Sequence, residues 1–567
     1  MKMKSFVKSL LSVLSFLFLT NAVPSTSIYS LFILFVLYCA FDSVPIDKNP
    51  FTRIGSAIFG IFAVLNVFQV NVYDDVLGSR PLFLQVIVVL IIFAGTYLLV
   101  EMILSFLFSK FDQIKTVGSH PLKPNTLLLI SFLVLILFYL PAWMMEYPSN
   151  VSADTLDQIG QILSGKYINH HPFAHTMWLK LLMSFGKDIN IRVGIAALVQ
   201  LVINVFVFSF VVRTVYVKTQ KFSYALLTLL FYLLASYHAF YSITLIKDVS
   251  HATIACILLM LLIQYFDVEN KKTKNLYLIF IGIFSVFFCL FRTNGYYAFV
   301  VMIVSSALYV LKKKDYRLIT ALVLAFILST AIKGPVYDAL NIAKASFAES
   351  ISVPVQQIAL VVRNGGSIDD NEMKMLNKVI DVNKAAEDYD AFLSDPVKRL
   401  LNDGDISYLE ENKSDYLKVW IGIGMKNPFE YLQAWVNQWS GYFSPHYYAT
   451  SAFWGVWENG FGIHASPILI KGQLNETLHD LAYNQHDLPF IGWLHYPSIT
   501  TWMLMICLLY CLRNKDYETL IIVSPLVGIF ITLMISCPYN LCFRYYYAVV
   551  CCIPLFVAKA LLAREAR

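Results

Sequence analysis

Long apolar runs, separated by short polar or basic stretches, dominate the sequence. Those close to the ~20 residues that cross a bilayer lie at 5–22, 27–42, 52–70, 82–108, 124–144, 191–212, 222–241, 249–266, 275–291, 295–311, 316–333, 492–512, 518–536 and 545–562. The pattern predicts about 14 transmembrane helices. Residues 334–490 are mainly polar and carry mixed helical periodicity, so this region is expected to fold outside the bilayer.

Composition supports the membrane interpretation. Of the 567 residues, 58% are hydrophobic and 14% are charged, whereas soluble domains carry about 25% charged residues. The N-terminal run resembles a signal peptide but has no clear cleavage site, and we interpret it as a retained first span. The nine cysteines show no metal-binding or disulfide pattern; whether Cys537 and Cys542 are bonded stays open.

The distribution of basic residues predicts the topology. If the basic N-terminus is cytoplasmic, every strongly basic loop and the C-terminus also fall inside, as expected for membrane proteins. We therefore expect N-terminal helices in 1–123, a transmembrane core in 124–333 whose first outer loop is 145–190, an extracytoplasmic domain in 334–490, and C-terminal helices in 491–567.

The stretch SADTLDQIGQILSGKYINHHPFAHT (152–176) follows the fifth run directly. It predicts a short helix over 154–164 that lies flat on the outer surface, too short to span the membrane. Asp154 suits a helix N-cap. At the membrane edge its carboxylate also suits a general base, and both interpretations stay open. Asp157 is expected to be an ordinary surface carboxylate.

The histidines of this stretch allow two interpretations. His171 and His175 are four residues apart, which places them on one face if a helix contains both. Pro172 limits such a helix, and no HExxH-type glutamate accompanies them. We therefore expect these histidines to position a substrate or Asp154 through hydrogen bonds, and a purely structural role stays open for at least one of them. A divalent cation is the alternative.

Three basic residues lie at predicted outer helix ends, although basic residues of membrane proteins favour the cytoplasmic side. They are Lys247, Arg292 and Arg544. Ionisable groups at membrane depth are expensive and commonly functional, and arginine binds phosphate through two parallel hydrogen bonds. They predict an anion site. The alternative is local pairing, for instance of Lys247 with Asp248.

An aromatic cluster, WVNQWSGYFSPHYYATSAFWGVWENG (435–460), mixes Trp and Tyr with amides and histidine in the predicted outer region. Such a lining suits a sugar, because ring faces cover the apolar side of a pyranose while amides bond its hydroxyls. An interfacial aromatic belt is the competing interpretation.

These features together resemble the GT-C superfamily of integral-membrane glycosyltransferases, which use polyprenyl-phosphate-linked sugars. The motifs YPSNVSADTLDQ, NHHPFAHT, IKDVSHA, FRTNGYY, SVPVQQIALVV, YDAFLSDPVK and FRYYY also resemble an uncharacterised family of multi-pass membrane proteins from Gram-positive bacteria, from about residue 140 to the C-terminus. The chain departs from that pattern at Ser149, where glycine is common, and at Leu360, where arginine is common, with Arg363 nearby.

The GT-C resemblance implies an all-α polytopic fold with outer amphipathic helices and an active site on the outer face of the bacterial plasma membrane. It implies that Asp154 is the base, that Lys247, Arg292 and Arg544 hold the donor phosphate, and that Asp248 orients Lys247 or acts as a second carboxylate. It also implies that His170, His171 and Gln158 position the sugar or the acceptor. Tyr545, in the FRYYY motif, is expected to help position the substrate.

The expected reaction moves a sugar with inversion onto a cell-envelope glycan, wall polymer or lipid, with no certain cofactor and no nucleic-acid partner. The alternatives are a transporter or flippase of lipid-linked precursors, which would need polar residues deep in several spans, and a non-catalytic scaffold. A scaffold predicts that Asp154 makes only backbone capping bonds.

Overall fold

The computed structural model describes residues 3–20, 28–78, 80–114, 122–448, 455–540 and 542–562. Within these ranges the regular secondary structure is helical, and backbone bridges between extended residues are isolated. The helices up to residue 331 are α1 (Met3–Thr20), α2 (Ile28–Ser43), α3 (Pro50–Val67), α4 (Val70–Val76), α5 (Leu82–Phe111), α6 (Pro124–Met145), α7 (Ala153–Ser164), α8 (Phe173–Leu182), α9 (Ile189–Thr219), α10 (Phe222–Leu234), α11 (Tyr237–Ser242), α12 (Lys247–Asp267), α13 (Lys271–Phe291), α14 (Thr293–Lys313) and α15 (Arg317–Ala331).

The remaining helices build the polar region and the C-terminal spans. They are α16 (Tyr337–Ala339), α17 (Ser352–Arg363), α18 (Asp370–Leu376), α19 (Val382–Glu387), α20 (Asp395–Asp403), α21 (Ile406–Glu411), α22 (Lys413–Lys426), α23 (Pro428–Trp439), α24 (Gln473–Tyr483), α25 (Pro497–Arg513), α26 (Tyr517–Ile535), α27 (Tyr547–Cys551) and α28 (Ile553–Leu561).

Nine helices of the described ranges are long and apolar enough to cross a membrane: α3, α5, α6, α9, α12, α13, α14, α15 with its continuation, and α26. A bent pair formed by 543–551 and 553–561 makes a tenth if it counts as one span. The chain is therefore an all-helical polytopic membrane protein. All 14 predicted runs overlap helices, but several are short. The run 222–241, for example, breaks at Ala235, whose backbone is extended, and leaves 13 residues in α10. The number 14 therefore stays a prediction.

The most buried span, α12, lies at the centre of the bundle. In its most apolar stretch 72% of the residues are buried, against 17% in α5 and 61% in α9 and α26. Because apolar residues that are not covered by protein suit contact with lipid, α5 suits the periphery. The central position of α12 fixes the location of Lys247, its first residue.

The predicted outer region has two parts. Helices α17 to α23 surround a separate hydrophobic core that extends from Ala348 to Ala434. From Val436 onward the apolar residues join the main core of the bundle. Trp439 is fully buried and its ring packs edge-on against Phe62 of α3 and Phe530 of α26.

This packing corrects the expectation of a sugar-binding lining in the first half of the 435–460 cluster. Trp435 donates to the carbonyl of Met534 at 2.7 Å, and Tyr442 and Phe443 are buried. These rings fasten α23 to the bundle because large aromatic side chains bury much apolar area. Residues 449–454 of the cluster lie outside the described residues.

Candidate functional site

The segment before α7 is held between two other parts of the chain. Ser149 donates to the carbonyl of Ile243 at 2.6 Å, and Thr155 donates to that of Leu245 at 3.2 Å. On the other side, Val151 exchanges backbone hydrogen bonds of 3.0 Å with Gly455 and Trp457. The hydroxyl of Ser149, one of the two departures from the family pattern, thus ties this segment to the chain just before α12.

Asp154 is the meeting point of two cations from distant parts of the chain. Its Oδ2 accepts from Lys247 Nζ at 2.8 Å and from Arg544 Nη1 at 3.0 Å. The helix begins one residue earlier, at Ala153 after Ser152 as N-cap. The interpretation of Asp154 as a helix cap is therefore wrong. Its carboxylate instead joins α7, the start of α12 and the turn before α27.

The two cations set the protonation state of Asp154. Burial by itself raises the pKa of this carboxyl, but the charges of Lys247 and Arg544 outweigh burial and hold the pKa well below its usual range. An opposite charge at this distance favours the ionised form. Asp154 is therefore a carboxylate at every physiological pH, and its side chain keeps 22% exposure.

His171 extends the cluster. Its Nδ1 lies 2.9 Å from Lys247 Nζ, and its Nε2 lies 3.3 Å from Asp157 Oδ2. Since an ammonium can only donate, Nδ1 accepts and Nε2–H donates to Asp157. Burial, followed by the Lys247 charge, lowers the pKa of His171 to about 2. His171 is therefore a neutral ring that orients Lys247.

A second ion pair lies beside the first. Arg292 pairs with Asp248, whose side chain has no exposed surface, and Arg292 also donates to the backbone carbonyl of Arg544 at 3.4 Å. The alternative interpretation, local pairing of Lys247 with Asp248, is therefore wrong. Lys247 and Asp248 are neighbours at the start of α12, and their side chains reach different partners.

Tyr545 lies between the two guanidinium groups. Its ring centroid is 5.0 Å from the guanidinium carbon of Arg292 and 5.4 Å from that of Arg544. A ring face attracts cations at this range, which helps two like charges to lie near each other. Lys247, Arg292, Arg544 and Tyr545 thus lie in one cluster, while their roles toward a ligand stay predictions.

Gln158 and His175 lie beneath the cluster and contact each other. The Gln158 amide lies 3.1 Å from His175 Nδ1 and donates to Thr176 at 2.8 Å, and all three side chains are buried. Burial, followed by the charge of Lys247, lowers the pKa of His175 to about 3. This placement favours a structural role for Gln158, which fastens α7 to α8.

His171 and His175 do not share a helix face. His171 precedes α8, which starts at Phe173, whereas His175 lies inside it. His170 is exposed, with its ring edge-on to His171 at 4.6 Å. Among the described residues, no group of three or more His, Cys, Asp or Glu side chains could hold a metal ion. Cys537 and Cys542 are both free thiols.

An open depression borders α7 next to Asp157. Its volume is about 410 Å³, and its lining includes Asp157, Gln161, Glu458, Asn459 and Phe461. Carboxylates, amides and one ring face are the groups that bind sugar hydroxyls and the apolar side of a pyranose. Glu458 and Asn459 belong to the described end of the 435–460 cluster. Sugar binding therefore stays a prediction for that end of the cluster alone.

Asp157 is the site residue that sequence reasoning missed. Its spacing from Asp154 was the available signal, because the two aspartates are three residues apart and residues three apart lie on one helix face.

The second departure from the family pattern, at Leu360, lies away from the site. Leu360 is buried in the small core and Arg363 donates to the carbonyl of Tyr389 at 2.8 Å. The departure at Leu360 therefore concerns packing.

The fold and site define a polytopic helical membrane protein with a charged cluster where several helix ends meet. Residues 164–567 match a family described as a family of unknown function, DUF6020. This match covers more than two thirds of the chain, and the chain belongs to that family. Lys247, Arg292 and Arg544 lie within the matched range, while Asp154 precedes it. No curated protein and no solved structure matches the chain.

Proposed function

We propose that this protein is a membrane glycosyltransferase that moves a sugar from a polyprenyl-phosphate carrier to a cell-envelope acceptor outside the plasma membrane. The observation that carries the proposal is the convergence of Lys247 and Arg544 on one oxygen of Asp154. A base candidate and two phosphate-binding candidates thus occupy a single site.

The cations of the cluster suit an anionic ligand. Lys247, Arg292 and Arg544 contribute three positive charges, and Asp154 and Asp248 contribute two negative charges. The third carboxylate, Asp157, is 53% exposed and contacts His171 rather than one of these cations. Charge-assisted hydrogen bonds from such cations bind phosphate strongly. Preorganised donors in a site with little water also stabilise a developing leaving-group charge.

Arg292 has a different role from the other two cations. Its side chain is 8% exposed and Asp248 already neutralises it, so it supports the geometry of the cluster. Lys247 and Arg544, with 16% and 13% exposure, are the cations that a phosphate would bind. The proposal therefore assigns the leaving phosphate to these two residues.

The low pKa of Asp154 makes it a weak base while both cations hold it. When the donor phosphate binds Lys247 and Arg544, those cations turn toward the phosphate and the basicity of Asp154 rises. The acceptor hydroxyl then attacks the anomeric carbon and gives its proton to Asp154. The bond from that carbon to the phosphate oxygen breaks, and its electron pair leaves with the polyprenyl phosphate.

Several polar side chains on α9 and α12 form hydrogen bonds within the bundle. Gln200 donates to the carbonyls of Ser242 and Thr244 at 3.1 and 2.8 Å, and Thr253 donates to Asn204 at 2.5 Å. A transport path needs polar groups that can bind a passing substrate. These internal hydrogen bonds favour the enzyme over the transporter or flippase.

A deletion strain tests the proposal. We expect mass spectrometry to show that one envelope glycan substituent is lost and that a carrier-linked sugar accumulates on the outer leaflet. Wild-type protein and the exposed-site control Asp480→Asn should restore the substituent, whereas Asp154→Asn should not. If Asp154→Asn protein reaches the membrane at normal levels and restores it fully, the assignment of the base is wrong. Accumulation of the precursor on the cytoplasmic leaflet would indicate transport instead.

A further inference from the structure

The small core formed by α17 to α23 encloses a cavity that the proposed reaction does not use. Its volume is about 290 Å³. The walls are almost entirely apolar, and they include Val355, Leu376, Val379, Ala385, Leu401 and Tyr416. Each of these side chains is buried, so the cavity extends into the core of the unit, and it opens to the surface beside the exposed Lys413 and Leu417.

The size and lining of this cavity define the ligand that fits it. Apolar cavities stay dry, and a cavity of about 150 Å³ is enough to bind benzene. The present cavity is about twice that volume and has room for on the order of ten carbon atoms. Hydrocarbon is the chemical class that the lining can bind, since a polar group inside would lose its hydrogen bonds.

The mouth of the cavity carries a cation. Lys413, the first residue of α22, is exposed and lines the cavity. Its Nζ lies 4.2 Å from the ring centroid of Phe347, which also lines the cavity. Among the described residues, no carboxylate lies within ion-pair distance of this ammonium. An anionic headgroup is therefore the charge that the mouth favours.

An exposed apolar stripe leads away from the mouth along α22. Leu417, which lines the cavity, is 54% exposed, Ile421 is 47% exposed and Met425 is 78% exposed. Residues four apart lie on one face of a helix, so the three side chains form a continuous path.

The path ends near the membrane boundary. Four residues beyond Met425, the ring of Phe429 at the start of α23 lies 6.1 Å from that of Phe68 and 4.9 Å from that of Tyr73. Phe68 directly follows the membrane span α3, and Tyr73 lies in the next short helix, α4. A lipid chain leaving the bilayer at this edge would therefore meet the stripe first and the cavity next.

We propose that the α17–α23 unit binds one hydrocarbon chain of an anionic membrane lipid. The chain fills the cavity, and the headgroup lies beside Lys413. This inference is independent of the glycosyltransferase proposal, because it uses none of the residues around Asp154.

Photolabelling of the full-length protein in phosphatidylcholine nanodiscs tests this binding. The probe is palmitic acid with a diazirine at the chain end, and labelled peptides are mapped by mass spectrometry. We expect labelling of peptides around Phe347 and of α22, in addition to the lipid-facing spans. Phosphatidylglycerol and polyprenyl phosphate are added separately as competitors. Displacement by one of them identifies the headgroup class and supports the site.

Two variants act on the site in different ways. Ala385→Phe fills the cavity, and Leu417→Asp places a charge at the exposed mouth without changing the core. Each should reduce labelling of the unit at least about tenfold while leaving the spans labelled. Leu474→Asp, at a position with 56% exposure on α24, is the matched control and should label as wild type.

Lys413→Gln examines the charge requirement. It should reduce labelling by the fatty acid several-fold and leave labelling by the corresponding diazirine fatty alcohol unchanged. Labelling of the unit that is equal in wild type, Ala385→Phe and Leu417→Asp would overturn the proposal. So would labelling confined to the spans. Since Leu417 is exposed, its variant keeps the test valid even if Ala385→Phe misfolds.

Discussion

At the scale of single residues, the two ion pairs of the site differ in burial. Asp154 keeps partial exposure and shares its charge with two cations, whereas Asp248 and Arg292 are enclosed together. Breaking a buried pair leaves an uncompensated charge, which is far more costly than breaking an exposed pair. The first pair is thus suited to exchanging partners with a ligand, and the second to holding the shape of the site.

This difference predicts the stability of two variants. Asp248→Asn should lower the free energy of unfolding by about 3–5 kcal/mol, because Arg292 is left buried without its carboxylate. Asp157→Asn, at a carboxylate with 53% exposure, should lower it by at most about 1 kcal/mol. Thermal unfolding in detergent measures both. Equal losses in the two variants would contradict this prediction. Replacing both Asp248 and Arg292 with Leu should recover most of the stability that Asp248→Asn loses.

The protonation state of His171 predicts a pH dependence of stability. The pKa of His171 is about 2 in the folded protein and about 6.5 in an unfolded chain. Between these two values the unfolded state binds more protons than the folded state. The contribution of His171 to the free energy of unfolding is therefore fully present above the unfolded-state pKa and decreases as the pH falls below it. We expect this one group to remove about 2 kcal/mol between pH 7 and pH 5.

Thermal unfolding of wild type and His171→Gln at the two pH values measures this contribution. The acid-induced loss should be smaller in the variant, because glutamine does not titrate and can still accept from Lys247. His170→Gln, at the exposed neighbouring position, is the control and should behave as wild type. Identical losses in all three proteins would show that His171 is not held neutral.

At the scale of elements, α7 and α12 bring their N-terminal ends to the same site. Asp154 lies in the first turn of α7, where the helix dipole favours a carboxylate. Lys247 is the first residue of α12, where the dipole disfavours a cation and favours an anion nearby. The carboxylate of Asp154, or a phosphate that replaces it, therefore stabilises the positive charge of Lys247 against the helix dipole.

The attachment of α7 to α8 depends on Gln158. Gln158→Leu leaves His175 and Thr176 without a buried partner, which costs about 1–3 kcal/mol for each unsatisfied group. We expect faster hydrogen exchange in α7 and α8, with exchange in α12 unchanged. Ser164→Ala, at an exposed position of α7, should leave exchange in both helices as in wild type. Unchanged exchange in Gln158→Leu would show that packing alone holds α7.

At the scale of the whole molecule, the chain has two cores, one in the membrane bundle and one in the α17–α23 unit. Helix α23 connects them, because its start belongs to the small unit and its end is buried in the bundle. The candidate site lies on the bundle, at the start of α12, the end of α13 and the turn before α27. The proposed topology puts this side of the bundle outside the cell.

Labelling with a membrane-impermeant maleimide tests that topology. Starting from a Cys39→Ser background, Ser414→Cys on α22 should react in intact cells. Lys272→Cys, at the start of α13, should react only after the cells are permeabilised. Both positions are exposed, so lysed cells give the control for reactivity. Reaction of Lys272→Cys but not Ser414→Cys in intact cells would reverse the orientation.

The sequence by itself determined the helical membrane class, the location of the apolar segments and the short helix that carries Asp154. These follow from local patterns, since hydrophobic length and charge placement act within about 20 residues. It also pointed to Lys247, Arg292 and Arg544, because charges at membrane depth are expensive. None of this needs knowledge of which segments are neighbours in space.

Only the tertiary structure decided which partner each charge takes. Lys247 binds Asp154 rather than its neighbour Asp248, and Asp157 joins the site through His171. The aromatic residues from Trp435 onward became core, because α23 enters the bundle. Side-chain pairing depends on how α7, α12 and the turn before α27 meet, and residues 93 and 390 positions apart carry no local signal of that contact.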